Sequence, residues 1–214
     1  MFWRKRPFDR TEVLAAADRA RARGRTKKAI AGYRTVLETA PGDLAVHAKI
    51  APLLARTGQR EAALASFRFA AEGQEAAGFP DRGLSLMVQA AGLYPEEARL
   101  WEEIARLHLT RARRADAVAA LVAGGRRLLH LRALAVGAQV LRRAVEIEPW
   151  QPEATVLLAR VLARSGRKEE ALALLDGLDS RVDGKVRRRA RRVAWLISPS
   201  LRRIWRWLGA VFAR

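Results

Sequence analysis

The sequence predicts an all-α fold: a helical-repeat solenoid of about ten helices followed by a C-terminal amphipathic helix. Three observations predict it. Phrases ending in proline, "VLETAP" at Pro41, "AAGLYP" at Pro95 and "AVEIEP" at Pro149, recur at equal intervals of 54 residues. A fixed period of this size marks a repeat architecture. Between them, apolar residues fall at three- and four-residue spacing, and no alternating stretch is long enough for a useful strand. Proline and glycine sit mainly between the helical phrases, where they punctuate turns.

Taken in order, residues 1–9 form a basic arm in which Phe2, Trp3 and Phe8 surround Arg4, Lys5 and Arg6. Residues 10–178 carry the repeats. In "LAVHAKIAPLLARTG" (44–58), Val46, Ile50, Leu53 and Leu54 keep helical spacing, and Gly58 stops the helix as a glycine just past its end. Pro52 lies in the third turn and predicts a kink. The next phrase, "REAALASFRFAAEGQEAAG" (60–78), is followed by "DRGLSLMVQAAGLYP", so each period holds a third helix. The periods align without a gap: Ile50, Ile104 and Leu158; Ala51, Ala105 and Ala159; Gly58, Ala112 and Gly166; Ala63, Ala117 and Ala171; Phe67, Leu121 and Leu175; Tyr33, Met87 and Leu141; Val36, Ala90 and Ala144. After Gly166, "RKEEALALLDGL" resumes with acids in its first turn, where the helix dipole favours them.

These residues resemble the tetratricopeptide repeat family. The resemblance rests on Ile50, Ala51, Leu54, Gly58, Ala63, Phe67 and Ala70, then Trp101, Ile104, Ala105, Ala117 and Leu121, then Leu158, Ala159, Gly166, Ala171 and Leu175. Gly24, Ala29, Tyr33 and Val36 extend it before Pro41. The 54-residue period departs from the family's two-helix unit. The resemblance implies a non-enzymatic scaffold or adaptor with a concave face that holds a protein partner. It places Arg56, Arg99, Glu102, Arg106, Arg160 and Arg164 on that face, where arginine suits an acidic segment or a terminal carboxylate. The set of the family's chaperone-binding clamps is not met, because Ala48 and Pro52 occupy two of its places.

The remaining composition excludes much chemistry. There is no cysteine, hence no disulfide, thiol nucleophile or thiolate metal site. His47, His108 and His130 lie far apart without ligand spacing, and His108 stands where its repeat counterparts are Leu54 and Leu162, so it reads as a packed histidine. No phosphate-binding, nucleophile-elbow or metalloprotease motif is present, and Gly124-Gly125 lies inside a helical pattern, which favours close helix packing. No enzyme, cofactor or metal is expected. The basic N-terminus starts like a leader, but Asp9, Arg10, Glu12 and Asp18 interrupt it, and no stretch approaches a spanning length. The expected location is cytoplasmic, peripheral on the inner face of the membrane.

Charge is concentrated at the end. Of a net +19, residues 181–214 contribute +10, with eleven Lys or Arg against one Asp. Residues 179–198 are expected to be a basic linker and capping helix: Val186, Ala190, Val193 and Ile197 form a narrow apolar stripe beside Arg187, Arg188, Arg189, Arg191 and Arg192. Ser198 is expected to cap a second helix starting at Pro199. In that helix (199–214), Leu201, Ile204, Trp205, Trp207, Leu208, Val211 and Phe212 span an arc of about 160°. Arg202, Arg203 and Arg206 lie opposite and, with Arg187, Arg188, Arg189, Arg191 and Arg192, are expected to contact an external anion. Three readings of the tail stand: an anionic membrane surface, a partner protein in a larger assembly, or a nucleic acid. Segregation of arginine from tryptophan weighs against the nucleic acid, which needs no wide apolar face. Four of the six tryptophans lie in the two basic arms, which sets them apart from core residues.

Overall fold

A computed structural model of the chain describes residues 9–182 and 184–212, the side chains of Ala210 and Phe212 excepted. The N-terminal arm, residues 1–8, lies outside the described residues. The chain divides into two compact units, Met1–Leu93 and Tyr94–Arg214. Among the described residues every regular element is a helix. The first unit holds α1 (Arg10–Ala22), α2 (Thr26–Thr39), α3 (Leu44–Arg56), α4 (Arg60–Ala76) and α5 (Pro80–Leu93). The second holds α6 (Ala98–Leu109), α7 (Arg114–His130), α8 (Leu134–Ile147), α9 (Pro152–Arg164), α10 (Lys168–Asp179), α11 (Gly184–Ile197) and α12 (Leu201–Phe212).

The three-helix period is physical. Helices α3, α4 and α5 are followed at a spacing of 54 residues by α6, α7 and α8; α9 and α10 repeat that spacing, and α11 begins 50 residues after α8. The aligned positions within the helices are buried, and the aligned turn residues Gly58, Ala112 and Gly166 are exposed. Tyr33 and Leu141 are fully buried and Met87 nearly so, and Ala63, Ala117 and Ala171 are all inaccessible. Packing fixes the period because each small residue lets a neighbouring helix approach while each large one fills the space beside it. His108 is half-buried with Nδ1 3.9 Å from Asp116 Oδ2, a histidine packed between α6 and α7.

Helix ends follow local chemistry. Asp9 accepts from the Thr11 and Glu12 amides, and Asp43 accepts from Val46, satisfying donors that a first turn leaves free. Pro52 stands inside α3, which continues past it to Arg56. In the first unit, Tyr33 Oη donates to Asp18 Oδ1 at 2.6 Å and Lys49 Nζ to Oδ2 at 2.8 Å, tying α1, α2 and α3 together. Burial opposes the charged form of Asp18, but these hydrogen bonds and the Lys49 charge outweigh it and hold the carboxyl below the usual range.

The turns after α1, α4 and α7, and after α3, α6 and α9, all enter the left-handed region. Glycine serves at Gly24, Gly58, Gly78 and Gly166, but the turns after α6 and α7 use Ala112 and Arg132, at φ of 58° and 59°. A side chain there costs about 1–2 kcal/mol, and glycine's extra chain entropy returns about half of that. Ala112→Gly and Arg132→Gly are each expected to stabilise the protein by about 0.5–1 kcal/mol, read as a higher urea midpoint at unchanged slope. A lowered midpoint in both would contradict the turn geometry.

Candidate functional site

Helix α9 turns most of its surface inward, from Ala154 to Ala159 and at Val161 and Leu162. Past its first turn, what it leaves open is Arg160, Ala163 and Arg164. Facing these across a cavity of about 610 Å³ are Arg189, Arg192, Val193, Leu196 and Ile197 of α11, with Lys168 at the start of α10. Arg160 and Arg164 are one turn apart, as are Arg189 and Arg192. The cavity therefore has cationic walls on both sides and an apolar floor. A second cavity of about 350 Å³ shares Arg160, Arg164 and Arg189 and adds Arg126, His130, Leu129 and Leu157. No carboxylate lines either cavity; Glu153 is drawn aside into an ion pair with Arg126. An anionic, partly apolar ligand is the electrostatic complement of such a trough.

The other predicted groove residues are not gathered here. Arg56 is exposed at the end of α3 in the first unit, and Arg99, Glu102 and Arg106 are exposed on α6. Family analogy placed Arg160 and Arg164 on a face but missed the second wall, because Arg189 and Arg192 were assigned to the cap. Their one-turn spacing on α11, matching that of the α9 pair, was the available signal.

The last two helices are held by a carboxylate. Asp179, buried at the end of α10, receives Arg191 Nε at 2.8 Å and Nη2 at 3.1 Å, and Arg206 Nη2 at 3.1 Å. Arg206 Nη1 also reaches Asp176 at 3.3 Å, and Arg191 Nη1 donates to the Arg206 carbonyl at 2.9 Å. Arg187 Nε lies 4.0 Å from Asp179. Three of the arginines expected to contact an external anion, Arg187, Arg191 and Arg206, thus face an internal one. Arg188 is half-buried, while Arg189, Arg192 and Arg202 are exposed and Arg203 is half-buried. Of the expected apolar stripe of α11, Ala190 is buried and Val193 and Ile197 pack on the core, joined by Ala194, while Val186 is half-buried.

The start of α12 differs from the expectation. Ser200, not Ser198, is the cap: its Oγ accepts from the Arg203 amide at 3.3 Å and its carbonyl accepts from Ile204 at 3.0 Å. Pro199 therefore stands before the cap, where its fixed φ holds the turn rather than the first helical residue. The predicted apolar arc is divided. Trp207 stacks on Trp195 of α11, ring centroids 6.3 Å apart and planes within 10°. Ile204 and Leu208 are half-buried, whereas Leu201 is 80%, Trp205 70% and Val211 40% exposed. The Phe212 side chain lies outside the described residues. No helix among the described residues is long and apolar enough to cross a membrane.

Residues 128–188, from the end of α7 into α11, match the family model of the tetratricopeptide repeat. This stretch is similar to a tetratricopeptide repeat. No curated protein matches the chain. Among solved structures, the chain is similar to the Rap conjugation gene regulator of plasmid pLS20, in complex with the Phr* peptide, at 14% identity over 92% of this chain and 61% of that one, TM-score 0.44. It is similar to MamA from Desulfovibrio magneticus RS-1 at 13% identity over 80% and 93%, TM-score 0.41. YrrB, described as a tetratricopeptide repeat protein with an unusual peptide-binding site, is 15% identical over 95% and 92%, TM-score 0.33. Within the matched stretch, α9 supplies one wall of the trough. Arg189, Arg192 and all of α12 lie beyond the matched residues.

Proposed function

We propose that this protein is a non-enzymatic interaction scaffold whose basic trough takes an acidic, partly apolar segment of a partner protein. The observation that carries this reading is the pair of cationic walls, Arg160 and Arg164 against Arg189 and Arg192, over the floor formed by Val193, Leu196 and Ile197. Anisotropy titration with a labelled peptide of alternating Glu and Leu tests it. Arg160→Glu with Arg164→Glu is expected to weaken binding at least tenfold, about 1.4 kcal/mol, and added salt to weaken the native protein's binding. Equal affinity for native and reversed-charge proteins would refute the trough as the site.

A specific observation favours a second, compatible role: attachment of the scaffold to an anionic membrane on the cytoplasmic side. Large apolar side chains that stay exposed on a short arginine-rich helix, Leu201 and Trp205 above all, suit the headgroup boundary. Co-sedimentation with vesicles containing phosphatidylglycerol measures it. Trp205→Glu is expected to reduce bound protein about tenfold or more, and Arg202→Ala only a few-fold, since burial of apolar surface outweighs one screened charge. Indifference to both substitutions would remove the tail from the membrane contact.

A further inference from the structure

We propose that α12 meets an anionic bilayer while still docked on α10 and α11, inserting its exposed row of Leu201, Trp205 and Val211, with Asp179 as the residue that positions it. The proposal rests on the membrane reading above and says how the contact is built. The sequence alone offers lipid the whole apolar arc. In the structure one half of that arc is already used: Trp207 lies flat against Trp195, and Ile204 is half-buried. The outer half points away from the protein.

Several restraints keep this division. Asp179 is buried and holds Arg191 and Arg206 at once, one from α11 and one from α12. Arg191 also donates to the Arg206 carbonyl, and Arg203 Nη1 to the Ser198 carbonyl at 3.3 Å across the turn. The connection is three residues, Ser198 to Ser200, with a proline at its centre. Releasing α12 would strip a buried carboxylate of one of its cations and expose both stacked tryptophans. Insertion of Trp207 and Ile204 would have to offset both losses. Docked insertion requires neither.

The occupant follows from charge and size. Residues 184–214 carry no acidic side chain, and Arg202 is exposed beside the outer row. A twelve-residue helix with three large apolar groups outward and cations at its flank rests at a headgroup boundary and cannot cross it.

The test uses the full chain in a Trp3→Phe background, with vesicles of phosphatidylglycerol carrying brominated acyl chains that quench nearby tryptophan. Trp205→Phe is expected to reduce quenching about fivefold, while Trp207→Phe leaves it nearly unchanged. Asp179→Asn is expected to free the helix, so that Trp207 then contributes comparably to Trp205. Equal loss of quenching from Trp205→Phe and Trp207→Phe, with Asp179 intact, would overturn docked insertion while leaving membrane attachment standing. No binding to anionic vesicles at all would sink both. Binding that persists without quenching at Trp205 would place the lipid contact elsewhere on the chain and refute the proposal.

Discussion

Replacing Gly124 by valine is expected to lower the melting temperature by about 5–10 °C, from a loss of about 2–3 kcal/mol. Helix propensity alone argues the other way: glycine inside a helix costs up to about 1 kcal/mol relative to a residue with a side chain. Sterics decides. A Cβ at Gly124 would stand 2.4 Å from Cγ of Trp101 and 2.8 Å from its Cβ, where real contacts do not occur. Trp101 cannot swing aside cheaply, because its Nε1 donates to the Pro95 carbonyl at 3.1 Å. At Gly125 the neighbour is Leu141, fully buried, with Cδ2 at 2.5 Å. Gly209 is the contrast, a helical glycine with nothing within 4 Å. Thermal melts followed by circular dichroism measure the effect. An unchanged or raised midpoint for Gly124→Val would mean that α6 and α7 do not approach as described.

Asp179→Ala is expected to cost about 2 kcal/mol, read as a lower urea midpoint. Removing one partner of a fully buried ion pair costs more, about 3–5 kcal/mol, because the charge left behind is dry. Here the stranded groups are guanidinia still partly wet: the Arg191 side chain is 24% and Arg206 42% exposed, so water takes up part of the loss. What remains is crowding of Arg191, Arg206 and Arg187 around a vanished carboxylate. A double-mutant cycle with Arg206→Ala isolates the pair and should give a coupling of about 1 kcal/mol. Additive losses would show that Asp179 does not hold α12.

Much of the fold was legible because the period is written in residue size. Alanine at 63, 117 and 171 and bulky apolar groups at 67, 121 and 175 fix which faces meet, and the structure buries all six. The third helix of each period was legible for the same reason. Gly124 and Gly125 were readable as packing residues because they interrupt no helical phrase. The candidate site was readable only in part. Arg160 and Arg164 stood out, but the opposing wall could not be known until α11 was placed across from α9. Nor could the cap of α12, where two serines flank one proline and only the turn's geometry selects Ser200.

The sequence by itself determined the class of fold, the 54-residue repeat, the helix boundaries to within a few residues and a tail with one apolar and one basic side. These depend on neighbours along the chain, at spacings of three, four and 54. The tertiary structure decided which arginines are available to a ligand and which half of the apolar arc is left to one. Asp179 lies 12 residues from Arg191 and 27 from Arg206, and neither periodicity nor composition relates them. Only the packing of α10, α11 and α12 brings one carboxylate against two guanidinia, and that choice removes Arg206 from the pool of anion contacts and turns Trp207 inward.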